Sequence, residues 1–323
     1  MRMLCKTWRW FAKDPHQLIG VRILQISLGT MLLFQVVTSL PFAGYLWGPN
    51  SITDGSTSDL LGPTLGDVVD TVFTADTYIF CVLFILAIGA LGLLFGYWTR
   101  IATFLTLISF SLLTIRLPEL YNAGDTITQL VLIYMLFLLP HRAKFSTGQF
   151  RVWLHNIAVV AIILQLIVMY TASGFFKSIG PLWQQGTAMY YISQTQLYSL
   201  PGASKLFSIP LIVYVATYVP MAYQLLFPVA IISRLKLPWI ALGILFHLGI
   251  AVLMGLVTFS TVMIGLELFL ISDQEYAMIR KRGGLICKRL SRAGVRIVQK
   301  QTRARATEAE EEEEEEESTT TVG

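Results

Sequence analysis

Charge is what this sequence lacks most. Of its 323 residues, 14% are charged and 54% are hydrophobic, whereas an ordinary soluble domain has about 25% charged residues. The mean hydropathy is +0.63. The charges are also unevenly placed, because ten Lys/Arg residues and an unbroken run of glutamates follow Ile279. This composition excludes an ordinary soluble enzyme and indicates a membrane chain with a charged tail.

Cysteine is scarce, and familiar catalytic motifs are missing. Cys5, Cys81 and Cys287 have no paired spacing, so neither a disulfide framework nor a zinc site can be built from them. The sequence contains no HExxH, GxSxG, CxxC or phosphate-loop pattern. Zinc protease, serine hydrolase, thiol–disulfide and nucleotide-dependent activities therefore find no support. We expect no metal site, and no nucleic acid among the partners.

Long apolar runs make up most of the chain. A bilayer crossing needs about 20 apolar helical residues, because a helix satisfies its backbone hydrogen bonds within its own segment. The first run reads as an uncleaved anchor, since no small-residue cleavage site accompanies it. The last stretch is too long for one crossing and is predicted to break near Gly255–Phe259. The predicted runs are Ile23–Leu40, Tyr78–Gly96, Ile101–Leu117, Ile127–Pro140, Ile157–Phe176, Ile209–Ser233 and the two halves of Pro238–Ser272.

Basic residues predict how these helices are oriented. If the N-terminus is cytoplasmic, all but three of the 24 Lys/Arg residues lie on the cytoplasmic side, the exceptions being Arg116, Lys177 and Lys205. The positive-inside rule favours this arrangement, and two cytoplasmic ends require an even number of crossings. We therefore predict an all-α polytopic membrane protein, a bundle of about eight transmembrane helices with both termini cytoplasmic, and six helices as the fallback.

The predicted domain order follows from the same pattern. Residues 1–22 form a basic cytoplasmic N-terminus, and residues 23–272 form the transmembrane domain. Residues 273–305 are a basic segment whose spacing suits an amphipathic helix on anionic lipids of the inner leaflet. Residues 306–323 are predicted to be a disordered acidic tail. A short helix is also expected near Leu65–Phe73, within an acidic outer loop.

The segment YTASGFFKSIGPLWQQGTAMYY, from Tyr170 to Tyr191, is the densest in unusual features. Its tyrosine, small-residue pair, lysine and Trp-x-x-Gly resemble a pattern of the HTTM membrane proteins, a family that includes the vitamin K-dependent gamma-glutamyl carboxylase. The positions that carry this resemblance are Tyr170, Ser173, Gly174, Lys177, Trp183 and Gly186, together with Arg22, Gly124, Asp125, Phe246 and His247. The resemblance covers roughly residues 18–272.

Within that family the chain looks most like the SdpB-like proteins of sporulation-delaying toxin systems. The run WQQGTAMYYISQ, followed by Leu200 and Pro201, and the stretch LGILFHLGI carry this likeness. It implies a multi-pass protein of the bacterial cytoplasmic membrane that is required for maturation, by processing or modification, of a secreted antimicrobial peptide toxin. The implied partners are a small SdpA-like protein and the toxin precursor peptide, besides the lipid bilayer. A transporter, an exporter or an immunity scaffold for the same peptide is the alternative.

The resemblance leaves the chemistry open. Whether the protein is an enzyme, and whether a quinone or another lipid serves as cofactor, are both undecided. We do not expect vitamin K-dependent carboxylation, because no large extramembrane domain follows the last helix. The carboxylase uses a lysine just upstream of this tryptophan as its base, so the resemblance makes Lys177 a catalytic candidate. An amine beside an apolar cavity can become a base or a nucleophile, and the alternative is a lysine that snorkels to the headgroups.

His247 and Glu267 lie inside apolar runs, where a central charge costs roughly 2.5–3.5 kcal/mol. A hairpin turning near Gly255 places them at similar depth, so we expect them to pair. Such a pair is either a structural hydrogen bond or a site that handles protons or substrate, with His247 the second catalytic candidate and Glu267 a binding candidate.

Further candidates for substrate binding have simpler alternatives. The aromatic residues could form an interfacial belt, Asp125 could cap a helix, and Arg22 could anchor the inner interface. These candidates are Trp183, Gly186, Tyr190, Tyr191, Asp125 and Arg22.

Overall fold

The structure is a computed structural model that describes residues 11–48, 51, 61–72, 76–118, 122–140, 148–195 and 198–284. Within these residues every regular element is a helix, and a 3-10 turn at Leu40–Phe42 joins the first two. The helices are α1 (Leu18–Ser39), α2 (Ala43–Trp47), α3 (Pro63–Val72), α4 (Asp76–Phe95), α5 (Thr99–Arg116), α6 (Ala123–Met135), α7 (Gln149–Ile179), α8 (Pro181–Gln184), α9 (Ala188–Gln194), α10 (Ala203–Leu206), α11 (Pro210–Ile232), α12 (Lys236–Met254), α13 (Val257–Phe269) and α14 (Asp273–Gly284).

Six helical stretches among the described residues are long and apolar enough to cross a membrane. They are Leu18–Trp47, Tyr78–Phe95, Thr99–Arg116, Gln149–Ile179, Pro210–Ile232 and Lys236–Met254. This is the architecture of a polytopic, membrane-embedded protein. The other two predicted runs correspond to α6 and α13, which have 13 residues each. At about 1.5 Å per residue, each is only about 20 Å long, which is shorter than the hydrocarbon core.

The helix break predicted near Gly255 is present. α12 ends at Met254 and α13 begins at Val257. Gly255 between them has φ 72°, a left-handed conformation that glycine adopts without steric cost. Since α12 and α13 pack against each other, the long apolar stretch is a helical hairpin.

The short helix α13 lies at the centre of the bundle. It packs against α1, α6 and α12, while α4 packs between α1 and α5, and α11 packs against both α7 and α12. Val262, Met263 and Glu267 of α13 are completely buried. A helix too short to span can lie at membrane depth when protein rather than lipid surrounds its backbone ends.

Glycines let α1 approach its neighbours closely. A Cβ on Gly20 would lie 2.8 Å from the carbonyl oxygen of Phe269 in α13, and a Cβ on Gly29 would lie 2.7 Å from that of Ala90 in α4. Lipid tails supply no hydrophobic drive for helix association, so close backbone packing through small residues takes its place.

Asn156 and His155 of α7 hold the segment that precedes α1. The Asn156 side chain donates to the carbonyl oxygens of Phe11 and Asp14, both at 3.0 Å, and accepts from the amide of His16 at 3.1 Å. His155 Nε2 lies 2.7 Å from the carbonyl oxygen of His16. Both side chains of α7 are completely buried.

Asp273 caps the first helix of the bundle. Its carboxylate accepts hydrogen bonds from the amides of Leu18 at 3.0 Å and Ile19 at 2.8 Å. The amides at a helix N-terminus have no partner within the helix, and a carboxylate there also interacts favourably with the helix dipole. These hydrogen bonds therefore connect the start of α1 to the residues that follow α13.

Two predicted extramembrane features are partly described. The short helix expected near Leu65–Phe73 is α3, which exposes Leu65 and Val68 and buries Val69. The chain divides into two compact units, Met1–Asp273 and Gln274–Gly323. In the second unit, Gln274–Gly284 is helical, while the rest of the predicted 273–305 segment and the acidic tail lie outside the described residues, as do the first ten residues.

Candidate functional site

Lys177 lies in the last turn of α7 and is held by neutral oxygen atoms. Its Nζ donates to Ser173 Oγ, one turn earlier, at 2.6 Å and to Gln224 Oε1 of α11 at 3.0 Å. Within the described part of the chain, no acidic side chain forms an ion pair with it. Because an ammonium group has three donors, the half-buried Lys177 keeps one donor beyond these two bonds.

Trp183 covers the Lys177 amine. α7 ends at Ile179, and the chain turns through Gly180 into α8, where Pro181 occupies the first helical position that proline favours. This turn folds the indole back over α7. The Lys177 Nζ lies 5.2 Å from the centroid of the Trp183 ring, within the range of a cation–π contact.

Gly186 fixes the path of the segment that follows. Its φ is 72°, and any Cβ would overlap the Tyr214 ring and lie 2.9 Å from the Tyr218 ring. Tyr218 Oη donates to the carbonyl oxygen of Gln184 at 2.7 Å. A glycine is therefore needed here both for its backbone conformation and for its contact with α11.

Tyr190 and Tyr191 of α9 face outward. Their rings meet edge to face at 5.3 Å, and they are 41% and 54% exposed. Neither has a described contact with Lys177. The structure therefore joins Trp183 to Lys177, but it places these two tyrosines on the surface of the bundle.

A second cluster is buried where α7, α11, α12 and α13 meet. Glu267 Oε1 accepts from Tyr170 Oη at 2.6 Å and from Tyr223 Oη at 2.9 Å. His247 Nε2 lies 2.8 Å from Tyr170 Oη and 3.6 Å from Glu267 Oε1. None of these four residues is more than 2% exposed. The expected pairing of His247 with Glu267 is thus present in the geometry, with Tyr170 as a bridge.

Aromatic rings and one glycine shape the space around this cluster. Trp239 stacks on Tyr223 with centroids 5.4 Å apart, and Phe227 packs against Tyr170 at 4.3 Å. Any Cβ on Gly243 would overlap Tyr223 Oη and Glu267 Oε1, so glycine leaves the room that the carboxylate occupies. In such a dry environment, hydrogen bonds are electrostatically stronger than in water.

Several polar atoms of α12 and α13 are buried without a hydrogen-bond partner among the described residues. They are His247 Nδ1, Glu267 Oε2, Trp239 Nε1 and Ser260 Oγ. An unsatisfied buried polar group costs about 1–3 kcal/mol. Such groups in a membrane bundle commonly mark a functional site.

Lys177 with Trp183, on one side, and the buried cluster, on the other, form two neighbouring groups. Tyr170 and Lys177 are seven residues apart on α7, which places them on the same face two turns apart. On α11, Tyr223 of the buried cluster directly precedes Gln224, the partner of Lys177. The α7–α11 contact therefore carries both groups.

Asp125 supports the start of α6. The N-cap is Asn122, whose Oδ1 accepts from the amide of Gly124 at 2.7 Å, while Asp125 Oδ2 accepts from the amide of Asn122 at 2.9 Å. This is a capping box. Placing the cap at Asp125 itself was wrong, because the helix already begins at Ala123.

Arg22 holds the C-terminal end of α4. Its guanidinium donates to the carbonyl oxygens of Leu93, at 2.8 Å, and Leu94. The carbonyl of Leu93 also accepts from the amide of Gly96 at 3.2 Å, and a cation at this end complements the negative end of the helix dipole. No described contact joins Arg22 or Asp125 to Lys177 or to Glu267.

Tyr223 and Gln224 take part in these groups but were absent from the predicted site. Both are polar residues inside the apolar helix α11, which is the same signal that drew attention to His247 and Glu267. Among the described residues, no group of three or more His, Cys, Asp or Glu side chains is placed to hold a metal ion.

Comparison with known proteins identifies no relative. No family model, no curated protein and no solved structure matches this chain. The fold and the two groups define a polytopic helical membrane protein with polar chemistry inside its bundle.

Proposed function

We propose that this chain is an SdpB-like protein of the HTTM type, required for the maturation of a secreted antimicrobial peptide toxin at the bacterial cytoplasmic membrane. The observation that carries the proposal is the Lys177 amine, which is bonded to Ser173 and Gln224 and covered by Trp183. No carboxylate among the described residues pairs with this half-buried amine, and a partly desolvated lysine without an ion-pair partner can act as a base or a nucleophile. The motif that contains it is also the one that resembles the HTTM family.

The topology proposed with this function has eight crossings and two cytoplasmic termini. It takes α6 and α13 as short crossings enclosed by other helices and follows the positive-inside distribution of Lys and Arg. Lys177 and the segment α8–α9 then lie at the outer face, where a secreted precursor emerges. The exposed Tyr190 and Tyr191 supply aromatic surface of the kind that protein interfaces favour.

The partners proposed are the precursor peptide and a small SdpA-like protein. The basic segment 273–305 is proposed to bind anionic lipids of the inner leaflet. We assign no cofactor, and we propose processing or modification of the peptide without choosing between them.

The test is mass spectrometry of the peptide from cells that express the precursor and its partner gene. The strains carry the wild-type protein, no protein, Lys177→Ala or Lys205→Ala. Lys205 is the matched control, since it is an exposed lysine of the same proposed face with no described side-chain hydrogen bond. We expect the mature mass to disappear without the protein and with Lys177→Ala, and to persist with Lys205→Ala.

Two outcomes would favour the alternatives. Peptide of unchanged mature mass that accumulates inside cells only when the protein is absent indicates an exporter. Full maturation and full protection of the cells with Lys177→Ala indicate an immunity protein or scaffold that needs no reactive amine.

A further inference from the structure

The hydrogen-bond directions in the buried cluster follow from counting protons. Tyr170 has one hydroxyl proton, which it donates to Glu267 Oε1. The 2.8 Å contact between Tyr170 Oη and His247 Nε2 must then be donated by the imidazole. His247 is therefore protonated on Nε2 when Glu267 is a carboxylate, and the buried Nδ1 holds a lone pair without a partner.

The same atoms form a second complete network that contains one more proton. Here Glu267 carries a proton on Oε1 and donates it to Tyr170 Oη, while Tyr170 donates to His247 Nε2. The imidazole is again neutral and holds its proton on Nδ1. The hydrogen bonds between Glu267 and Tyr170 and between Tyr170 and His247 are therefore both reversed in direction. Tyr223 continues to donate to Glu267 Oε1.

We propose that Tyr170, Tyr223, His247 and Glu267 form a buried proton-binding site that relays one proton between His247 and Glu267 through the hydroxyl of Tyr170. A proton that arrives at Nδ1 of His247 causes the Nε2 proton to pass to Tyr170. The original Tyr170 proton then passes to Glu267. The sum is one proton gained by the carboxylate and one change of histidine tautomer, with no other reactant.

Two more buried polar groups lie next to residues that contact the cluster. Ser260 follows Phe259, whose ring packs against His247 at 5.6 Å. Trp239 stacks on Tyr223, which is bonded to Glu267. The Oγ of Ser260 and the Nε1 of Trp239 are buried and have no partner among the described residues.

Three other charged groups on the surrounding helices bind partners outside the cluster. Lys177 of α7 is bonded to Ser173 and Gln224. Asp125, on α6, accepts from its own helix start, and Arg22, on α1, donates to the end of α4. The exchangeable proton of the buried cluster therefore belongs to His247 and Glu267.

The test follows both groups in the same full-length protein while the pH is lowered. Infrared spectroscopy detects the protonated carboxyl of Glu267, assigned by its absence in Glu267→Gln. Nitrogen NMR of histidine-labelled protein detects the tautomer of His247, assigned by its absence in His247→Gln. We expect the carboxyl band to appear and the imidazole proton to move from Nε2 to Nδ1 at one common pH.

Two tyrosine variants separate a relay from a merely structural cluster. Tyr170→Phe and Tyr223→Phe each remove one hydroxyl that donates to Glu267 Oε1, but only Tyr170 contacts His247. With Tyr170→Phe we expect the carboxyl band to appear without a change of tautomer. With Tyr223→Phe, both changes should still occur together.

Glu267→Gln gives an independent check, because its amide can donate to Tyr170 or accept from it but cannot take up a proton as the carboxylate does. The tautomer of His247 should then not change with pH. The proposal is overturned if the tautomer of His247 still changes with pH in Glu267→Gln, if His247 becomes doubly protonated in the wild type, or if both tyrosine variants behave alike. The measurement needs no peptide and does not involve Lys177, so its failure and that of the maturation proposal are separate results.

Discussion

At the scale of single residues, Gly243 decides whether the buried cluster can form. The space that its missing side chain leaves is filled by Tyr223 Oη and Glu267 Oε1. Even a methyl group there would push the tyrosine and the carboxylate apart. The hydrogen bond between them at 2.9 Å would be lost, and a buried carboxylate would lose one of its donors.

We therefore predict that Gly243→Ala destabilises the protein by about 1–3 kcal/mol, the usual cost of overpacking a core. Gly249→Ala, on the same helix, is the control, because nothing lies within 4 Å of its added Cβ. It should be neutral or stabilising by up to about 1 kcal/mol. Unfolding of both variants in detergent checks this, and equal stability would contradict the close packing at Gly243.

The sequence predicted part of this site at the residue scale. Polar residues in apolar runs drew attention to His247 and Glu267, and a hairpin explained how they could pair. Tyr170 and Tyr223 could not be joined to them in advance, because their contacts depend on how α7 and α11 pack around α13. A role at a helix start was predicted for Asp125 from the sequence, whereas no one-dimensional pattern shows that Arg22 binds the carbonyls at the end of α4.

At the scale of helices, α1 depends on a residue more than 250 positions away. The carboxylate of Asp273 accepts from the amides of Leu18 and Ile19. Gln17, which precedes the helix, offers no side-chain cap. Asp273 therefore replaces the local N-cap that the sequence does not supply.

We predict that Asp273→Ala destabilises the folded protein by about 1–2 kcal/mol, as removal of an N-cap usually does. Asp273→Asn keeps one acceptor oxygen and should cost less. Hydrogen exchange at Leu18 and Ile19 should accelerate in the order wild type, Asn, Ala, while exchange in α4 stays unchanged. The absence of any change at these two amides would show that the cap is dispensable.

The apolar runs predicted where the helices lie, but they did not predict how long the helices are. α7 begins at Gln149, well before the predicted run Ile157–Phe176, because polar residues such as His155 and Asn156 are also helical and bind another segment. Conversely, α6 and α13 are apolar and yet short. Hydropathy reports how hydrophobic a run is, whereas the length of the helix depends on capping residues and packing neighbours that lie elsewhere in the sequence.

At the scale of the whole molecule, the number of crossings depends on α6 and α13. We predict that Lys13 and Gly283, near the two ends of the described chain, lie on the same side of the membrane, and that Lys205 lies on the opposite side. Each position is exposed. Single cysteines at these positions, in a chain whose Cys5, Cys81 and Cys287 are replaced by serine, report their accessibility.

A membrane-impermeant maleimide should label Lys205→Cys in intact cells. It should label Lys13→Cys and Gly283→Cys only after the membrane is made permeable. Labelling of Gly283→Cys in intact cells would mean that the number of crossings is odd, and the eight-helix topology would then be wrong.

The length of α7 has a consequence for the lipid around it. Its 31 residues extend about 46 Å at 1.5 Å each, while a typical hydrocarbon core is about 30 Å thick. The polar first turns of α7 are fixed by their hydrogen bonds to residues 11–16. The helix therefore cannot shift along its axis to divide its excess length between the two membrane surfaces. A thicker bilayer would cover the end that carries Lys177, and a thinner one would uncover it. Membrane thickness thereby becomes a variable that sets how much water reaches this amine.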